Sequence, residues 1–180
     1  PAPRGCYLDW PDLEPDVARA CRESATRFAP PADRETGDAL LAGFSSNADA
    51  YNTIVAVEAW QVHQAWAQRF RNRYDPAVWQ RLNRVHTLTA AQIDAAQRRL
   101  AATRDLWAKF FQSYDFLVLP ATPFGALTKP ECTLANRNRL LALTAPASLG
   151  GLPVLTIPVP LPSGLTSGLQ IVVKDPRSPV

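Results

Sequence analysis

The 180-residue chain has 47% hydrophobic and 19% charged residues and a net charge of +3, a balance suited to burying one globular core. It holds no run of eighteen apolar residues and no charged start leading into an apolar core, so neither a membrane span nor a secretory leader is legible. Its arginines, in RFRNRY, RRL and NRNR, have acidic neighbours and no aromatic platform between them. Solvated helix faces account for them, and nucleic acid is disfavoured as a partner.

Cys6, Cys21 and Cys132 are odd in number and in no metal-like spacing. They read as free thiols of a reducing, cytoplasmic compartment. The chain has no methionine, even at position 1, and reads as cut from a longer polypeptide.

In chain order, Gly5 to Asp9 suits a short strand. A helix then follows with Pro15 in its first turn and Val17, Cys21, Ser24 and Phe28 on one face. APPADRETG reads as an exposed connection. Asn47 or Asp49 can cap a long helix ending near Tyr74, with Tyr51, Val55, Val62, Trp66 and Phe70 as its stripe. Asp75 and Pro76 start another helix. Thr89 and Gln92 form a capping box ahead of Ile93, Ala96, Leu100, Thr103, Trp107 and Phe110, a stripe suited to a core.

Phe116 to Leu119 are too few for a helix and too apolar to face water, and predict a strand buried on both faces. Pro120 and Pro123 stop its ladder. Next come a loop, a short helix near Asn136 to Leu143, a Gly-Gly-Leu-Pro turn, and the strands VLTIPV and GLQIVV.

Catalytic groups are sparse. His63 lies inside the long helix, where a partly buried histidine is the ordinary reading, and His86 lies in a turn. Neither is spaced with acids or cysteines to hold a metal. LGG lacks the lysine and spacing of a phosphate loop, and no cofactor motif appears.

YDFLVLPATP followed by LTAPASLGGLPVLTIPVPLPSGLTSGLQIVV resembles the C-terminal half of the amidase signature family. The resemblance is carried by Tyr114, Asp115, Pro120, Thr122 and Pro123, then by Thr144, Pro146, Gly151, Pro153, Pro158, Gly168 and Gln170. It implies an α/β fold with a large mixed sheet covered by helices, in which residues 1–180 form the C-terminal portion of a single amidase domain. It also implies hydrolysis of carboxylic amides by a Lys-Ser-Ser triad, with a glycine-rich loop holding the oxyanion. In the family these groups lie in the N-terminal half.

No such triad can be built here, for the first lysine is Lys109, and Ser45 and Ser46 stand before a helix, where capping explains them. The catalytic set expected of this chain is therefore none. The resemblance assigns substrate-binding roles to Thr122, Pro123, Ala147, Ser148, Gly150 and Gly151, with the PATP and TAPASLGGLP turns lining one cavity. For Thr122, a hydroxyl bonded to nearby backbone is an equal alternative. The implied partners are a small-molecule amide and the N-terminal half of the same enzyme. A homodimer is compatible, a membrane is not. The competing reading is a non-catalytic binding or scaffolding protein derived from that family.

Overall fold

In the computed structural model, which describes residues 2–177, strand β2 (Phe116–Pro120) is the axis of the molecule. All five of its residues are buried. It pairs in parallel with β1 (Gly5–Tyr7) and antiparallel with β4 (Thr166–Val173), which pairs antiparallel with β3 (Val154–Pro160). The order β1-β2-β4-β3 makes a mixed sheet.

Alternation along β2 sorts the core into two layers. Leu117 and Leu119, with Cys6 and Val172, pack against Leu40, Phe44, Trp107, Phe110 and Leu143 from three helices. Those helices are α2 (Arg34–Phe44), α5 (Ala90–Phe110) and α6 (Leu134–Gly150). Phe116 and Val118 face the other way, onto Val17, Cys21 and Ala25 of α1 (Pro15–Ala25). The expectation of a strand covered on both faces holds.

α1 starts with Pro15 at its first position and stops at Ala25. Phe28 therefore falls beyond the helix and is exposed, and Ala25 takes the expected place of Ser24 in the buried row. APPADRETG is only partly a connection. The Asp33 carboxylate accepts from the Thr36 amide at 2.8 Å and starts α2. Two glycines, Gly37 and Gly43, disguise that helix in the sequence.

α3 (Asn47–His63) ends earlier than expected, and turns and a short 3-10 segment at Arg71–Arg73 fill the way to Tyr74. Its stripe also differs. Val55, Val62 and Trp66 are exposed, whereas Asn47, Ala50, Thr53, Ile54 and Ala56 are buried. Small residues form the contact because Ala50 and Ile54 meet Ala96 of α5 and Leu149 of α6 in a shared cluster. Asn47 is not the cap: it is wholly buried and accepts from the Thr103 hydroxyl at 2.9 Å.

α4 (Pro76–Asn83) starts at Asp75 as expected, the carboxylate accepting from Ala77 and Val78. α5 carries its full capping box, and Ala96, Thr103, Trp107 and Phe110 are buried. The short helix expected at Asn136–Leu143 is longer. α6 continues through TAPASLG to Gly150 with Pro146 inside it.

Proline removes one helical donor, yet three side chains from other elements tie this stretch down. Gln170 Nε2 donates to the Leu143 carbonyl at 2.9 Å, Trp107 Nε1 to Pro146 at 2.9 Å, and Arg104 Nε to Leu149 at 3.2 Å. Gly151 then ends the helix at φ 65°, a left-handed conformation that costs glycine little.

Candidate functional site

Thr122 and Pro123 follow the C-terminal end of β2. The Thr122 hydroxyl donates to the Phe124 carbonyl at 2.8 Å and lies 2.9 Å from Ser167 Oγ on β4, so the turn's own backbone and the neighbouring strand engage it. Pro123 is buried, and its carbonyl accepts from the Glu14 amide at 2.8 Å.

The other four expected residues sit at the end of α6 instead of in a turn between strands. Ala147 is buried in the sheet-facing core. Ser148 is exposed and bonds back to the Thr144 carbonyl at 3.1 Å. A Cβ at Gly150 would stand 2.9 Å from Trp107 Cδ1, so Gly150 permits α6 to close against α5. Gly151 supplies the helix stop.

The amide of Val173, which pairs with Phe116, donates to the Pro153 carbonyl. The exit of α6 therefore lies level with the start of β2, across the end of β4, and Thr122 follows the far end of β2, roughly 13 Å along the strand. None of the six residues lines either of two cavities nearby in the fold, one by α3, α4 and α6 and one by Arg4 and Tyr114.

The larger cavity, about 870 Å³, lies between α3, α4 and the start of α6. Periodicity did not reveal it: Val55 is part of its wall, as is Tyr51, which also packs against the cluster of Ala50, Ile54, Ala96 and Leu149. His63 and Tyr74 stand on one side, with His63 Nδ1 2.7 Å from the tyrosine hydroxyl. Trp79 packs on Tyr74 at 5.6 Å between ring centres.

Arg81, Arg84 and Arg137 also line it, with Asp49 as the acid among the lining residues. Arg137 Nη1 donates to Asn52 Oδ1 at 3.0 Å. Burial first, then the charge of Arg81 and, less, of Arg84, pushes the Arg137 guanidinium below its usual range, with Tyr51 opposing. The signal in the sequence was faint, because these arginines come from two segments about fifty residues apart.

A second cavity, about 490 Å³, lies by Arg4, Asp33 and Tyr114. Among the described residues no group of three or more His, Cys, Asp or Glu could hold a metal, and no helix is long and apolar enough to cross a membrane. Ser45 Oγ bonds the Ala42 carbonyl at 2.9 Å where α2 ends, and Ser46 occupies the position before α3. Burial pushes the Cys6 thiol up to about 12 and the Cys21 thiol to about 11, which makes neither a nucleophile.

A family model described as Amidase matches residues 8–176. The A subunit of the glutamyl-tRNA(Gln) amidotransferase of Symbiobacterium thermophilum is 29% identical over 126 residues, covering 66% of this chain and 26% of the relative. Its counterpart in Syntrophomonas wolfei is 38% identical over 80 residues, 42% of this chain and 15% of the relative.

Among solved structures, an inhibitor-bound protein from a vestigial complex connected with the origins of an s-triazine catabolic enzyme superposes with a TM-score of 0.77 at 20% identity, over 96% of this chain and 39% of that one. The A subunit of the Thermotoga maritima glutamyl-tRNA(Gln) amidotransferase gives 0.71 at 17% identity, over 96% and 38%. At such identities the superpositions speak for the fold. The chain spans about a quarter of the length of the first curated relative. With the family model matched across nearly its whole length, this chain belongs to the amidase signature family.

Proposed function

We propose that this chain is the C-terminal portion of an amidase signature enzyme that hydrolyses a carboxylic amide C–N bond. The family match over residues 8–176 carries the proposal. Residues outside this chain supply lysine, proton-passing serine and nucleophilic serine. The nucleophile adds to the amide carbonyl, the amine leaves with a proton, and water releases the acid from the acyl-enzyme.

This chain supplies the buried sheet and pocket wall. Thr122 and Pro123 form the wall at one end of β2, and Ala147, Ser148, Gly150 and Gly151 shape it at the other. The exposure of Ser148 and Gly151 supports contact there, with Ala147 and Gly150 fixing the helix beneath. The free thiols of Cys6, Cys21 and Cys132 support a reducing, cytoplasmic setting.

The test is a protein joining this chain to the residues that precede it, assayed for hydrolysis of a panel of aryl and aliphatic amides and for fluorophosphonate labelling. Hydrolysis and labelling in the joined protein, with neither in the chain alone, support the reading. Ligand binding without hydrolysis or labelling in a folded joined protein would establish the non-catalytic alternative.

A further inference from the structure

At the end of α3 the apolar stripe that periodicity assigns to the core turns outward. Val62 is 60% and Trp66 42% exposed. The helical path outlasts α3, since the amides of Ala67 and Phe70 still bond back four residues, to the His63 carbonyl at 2.8 Å and the Trp66 carbonyl at 3.1 Å. Val62, Trp66, Arg69 and Arg73 recur at helical spacing along this path and share one face. All four are exposed, and the face from Val62 to Arg73 runs roughly 16 Å.

The arginines here, which the sequence presents as solvated and without an aromatic platform, lie on rings. The guanidinium carbons of Arg69 and Arg73 each stand 5.2 Å from the centre of Phe70, and that of Arg71 stands 5.3 Å from Trp79, all within cation–π reach. None of the three takes part in the ion pairs among the described residues. Residues 60–88 hold five arginines, no lysine and one acid, Asp75, whereas the rest of the chain holds fourteen basic and fifteen acidic residues. The Asp75 carboxylate already accepts from the Ala77 and Val78 amides. The chain's whole positive excess is therefore gathered around this one face.

An exposed apolar strip rimmed by one sign of charge suits a partner that is apolar at its centre and of opposite sign at its edge. Tryptophan with arginine and without lysine is the composition of a contact between proteins, whereas a face buried inside one domain rarely holds arginines. Guanidiniums held flat on rings keep their N–H edges open to carboxylates and lose less freedom on binding. A nucleic-acid strand fits less well. Phe70 and Trp79 already carry guanidiniums where a base would stack, and Val62 offers a phosphate backbone nothing.

We infer that this face docks an acidic amphipathic helix of a separate protein, whose apolar residues cover Val62 and Trp66 and whose carboxylates meet Arg69, Arg71 and Arg73. The inference is independent of the amidase reading.

Fluorescence anisotropy on the joined protein tests it with three labelled helical peptides of about fifteen residues, built on leucine and glutamate, leucine and glutamine, or alanine and glutamate, and with an oligodeoxythymidine. The leucine–glutamate peptide should bind, and each of the other two about tenfold more weakly. Arg69→Gln combined with Arg73→Gln should remove the advantage of glutamate over glutamine, and Trp66→Ala the advantage of leucine over alanine. Val62→Ser provides a second apolar variant should Trp66→Ala fail to fold, and Arg27→Gln, on another element, should change nothing. Hydroxyl-radical oxidation read by mass spectrometry should reach Trp66 in the joined protein and be suppressed by the bound peptide.

Absence of binding, or equal binding of the three peptides, would overturn the proposal. Tighter binding of the oligodeoxythymidine than of the leucine–glutamate peptide would put nucleic acid in the helix's place and overturn it too. Trp66 protected from oxidation before any peptide is added would show that the rest of the polypeptide covers the face, with the same result. Amide hydrolysis by the joined protein is read separately, so either reading can fail while the other stands.

Discussion

Gln170 Nε2 stands 2.9 Å from the Leu143 carbonyl and 2.9 Å from that of Pro120, so one buried amide on β4 joins α6 to the end of β2. Both of its N–H donors are engaged. Gln170→Leu keeps most of the volume but leaves two carbonyls without their donor, and should destabilise by about 1–3 kcal/mol. Denaturant midpoints of the two folded proteins measure it, and an unchanged midpoint would mean that water replaces both bonds.

Trp107 carries a different kind of load. It is 2% exposed, stacks on Phe111 at 5.6 Å and meets Phe110 edge-on at 5.8 Å, and its indole holds the Pro146 carbonyl. Trp107→Ala should cost about 3–5 kcal/mol. Trp107→Phe should cost less, because it keeps the ring but loses the donor. Equilibrium unfolding of both variants checks the order, and a loss under about 1 kcal/mol for the alanine would refute the packing argument.

The thiols make a prediction in pH. Cys132 is exposed, and Cys6 and Cys21 are buried, so Ellman's reagent on the folded chain at pH 8 should find one fast thiol. The two buried thiols are pushed up to about 12 and about 11 from 9.0, first by burial. The unfolded chain therefore ionises them at lower pH than the folded one. Their contribution is intact below about pH 9 and is lost as pH rises towards 11 and 12. The denaturant midpoint should fall above pH 9, and Cys6→Ala should flatten that fall relative to its own value at pH 8.

Ser45 and Ser46 yield a negative outcome. Ser45 Oγ is bonded to the Ala42 carbonyl, and Lys109, Lys129 and Lys174 are the only lysines, all far downstream in sequence. Mass spectrometry of the chain after fluorophosphonate treatment should find neither serine modified. Stoichiometric labelling at either would show an activated hydroxyl.

The long elements with one dominant signal were legible: the apolar run from Phe116 to Leu119, the capping box at Thr89 with its stripe to Phe110, and the hairpin pair β3–β4. Where a breaker residue is rescued by contacts distant in sequence, reading failed. Pro146 reads as a helix stop until Trp107 and Gln170 reach the neighbouring carbonyls. Gly37 and Gly43 hid α2, and a Cβ at Gly43 would require only the Leu106 methyl end to turn aside. Resemblance singled out the ends of β2, while the arginine-lined cavity joins Arg81 and Arg84 to Arg137 by tertiary packing alone, which no local pattern records.

β3 has no second neighbour among the described strands, and its prolines decide what can join it. Pro158 and Pro160 stand opposite Gly168 and Thr166. An antiparallel ladder that tolerates proline at these places must turn their nitrogens outward. The outward amides of the same parity that remain are those of Val154 and Thr156, beside Leu155, which is 60% exposed. An incoming strand, whether from another copy or from elsewhere in the polypeptide, finds donors over only the first half of the edge. Fibril-like growth by stacking along β3 is thereby blunted, while a short, register-specific graft at Val154–Thr156 stays open.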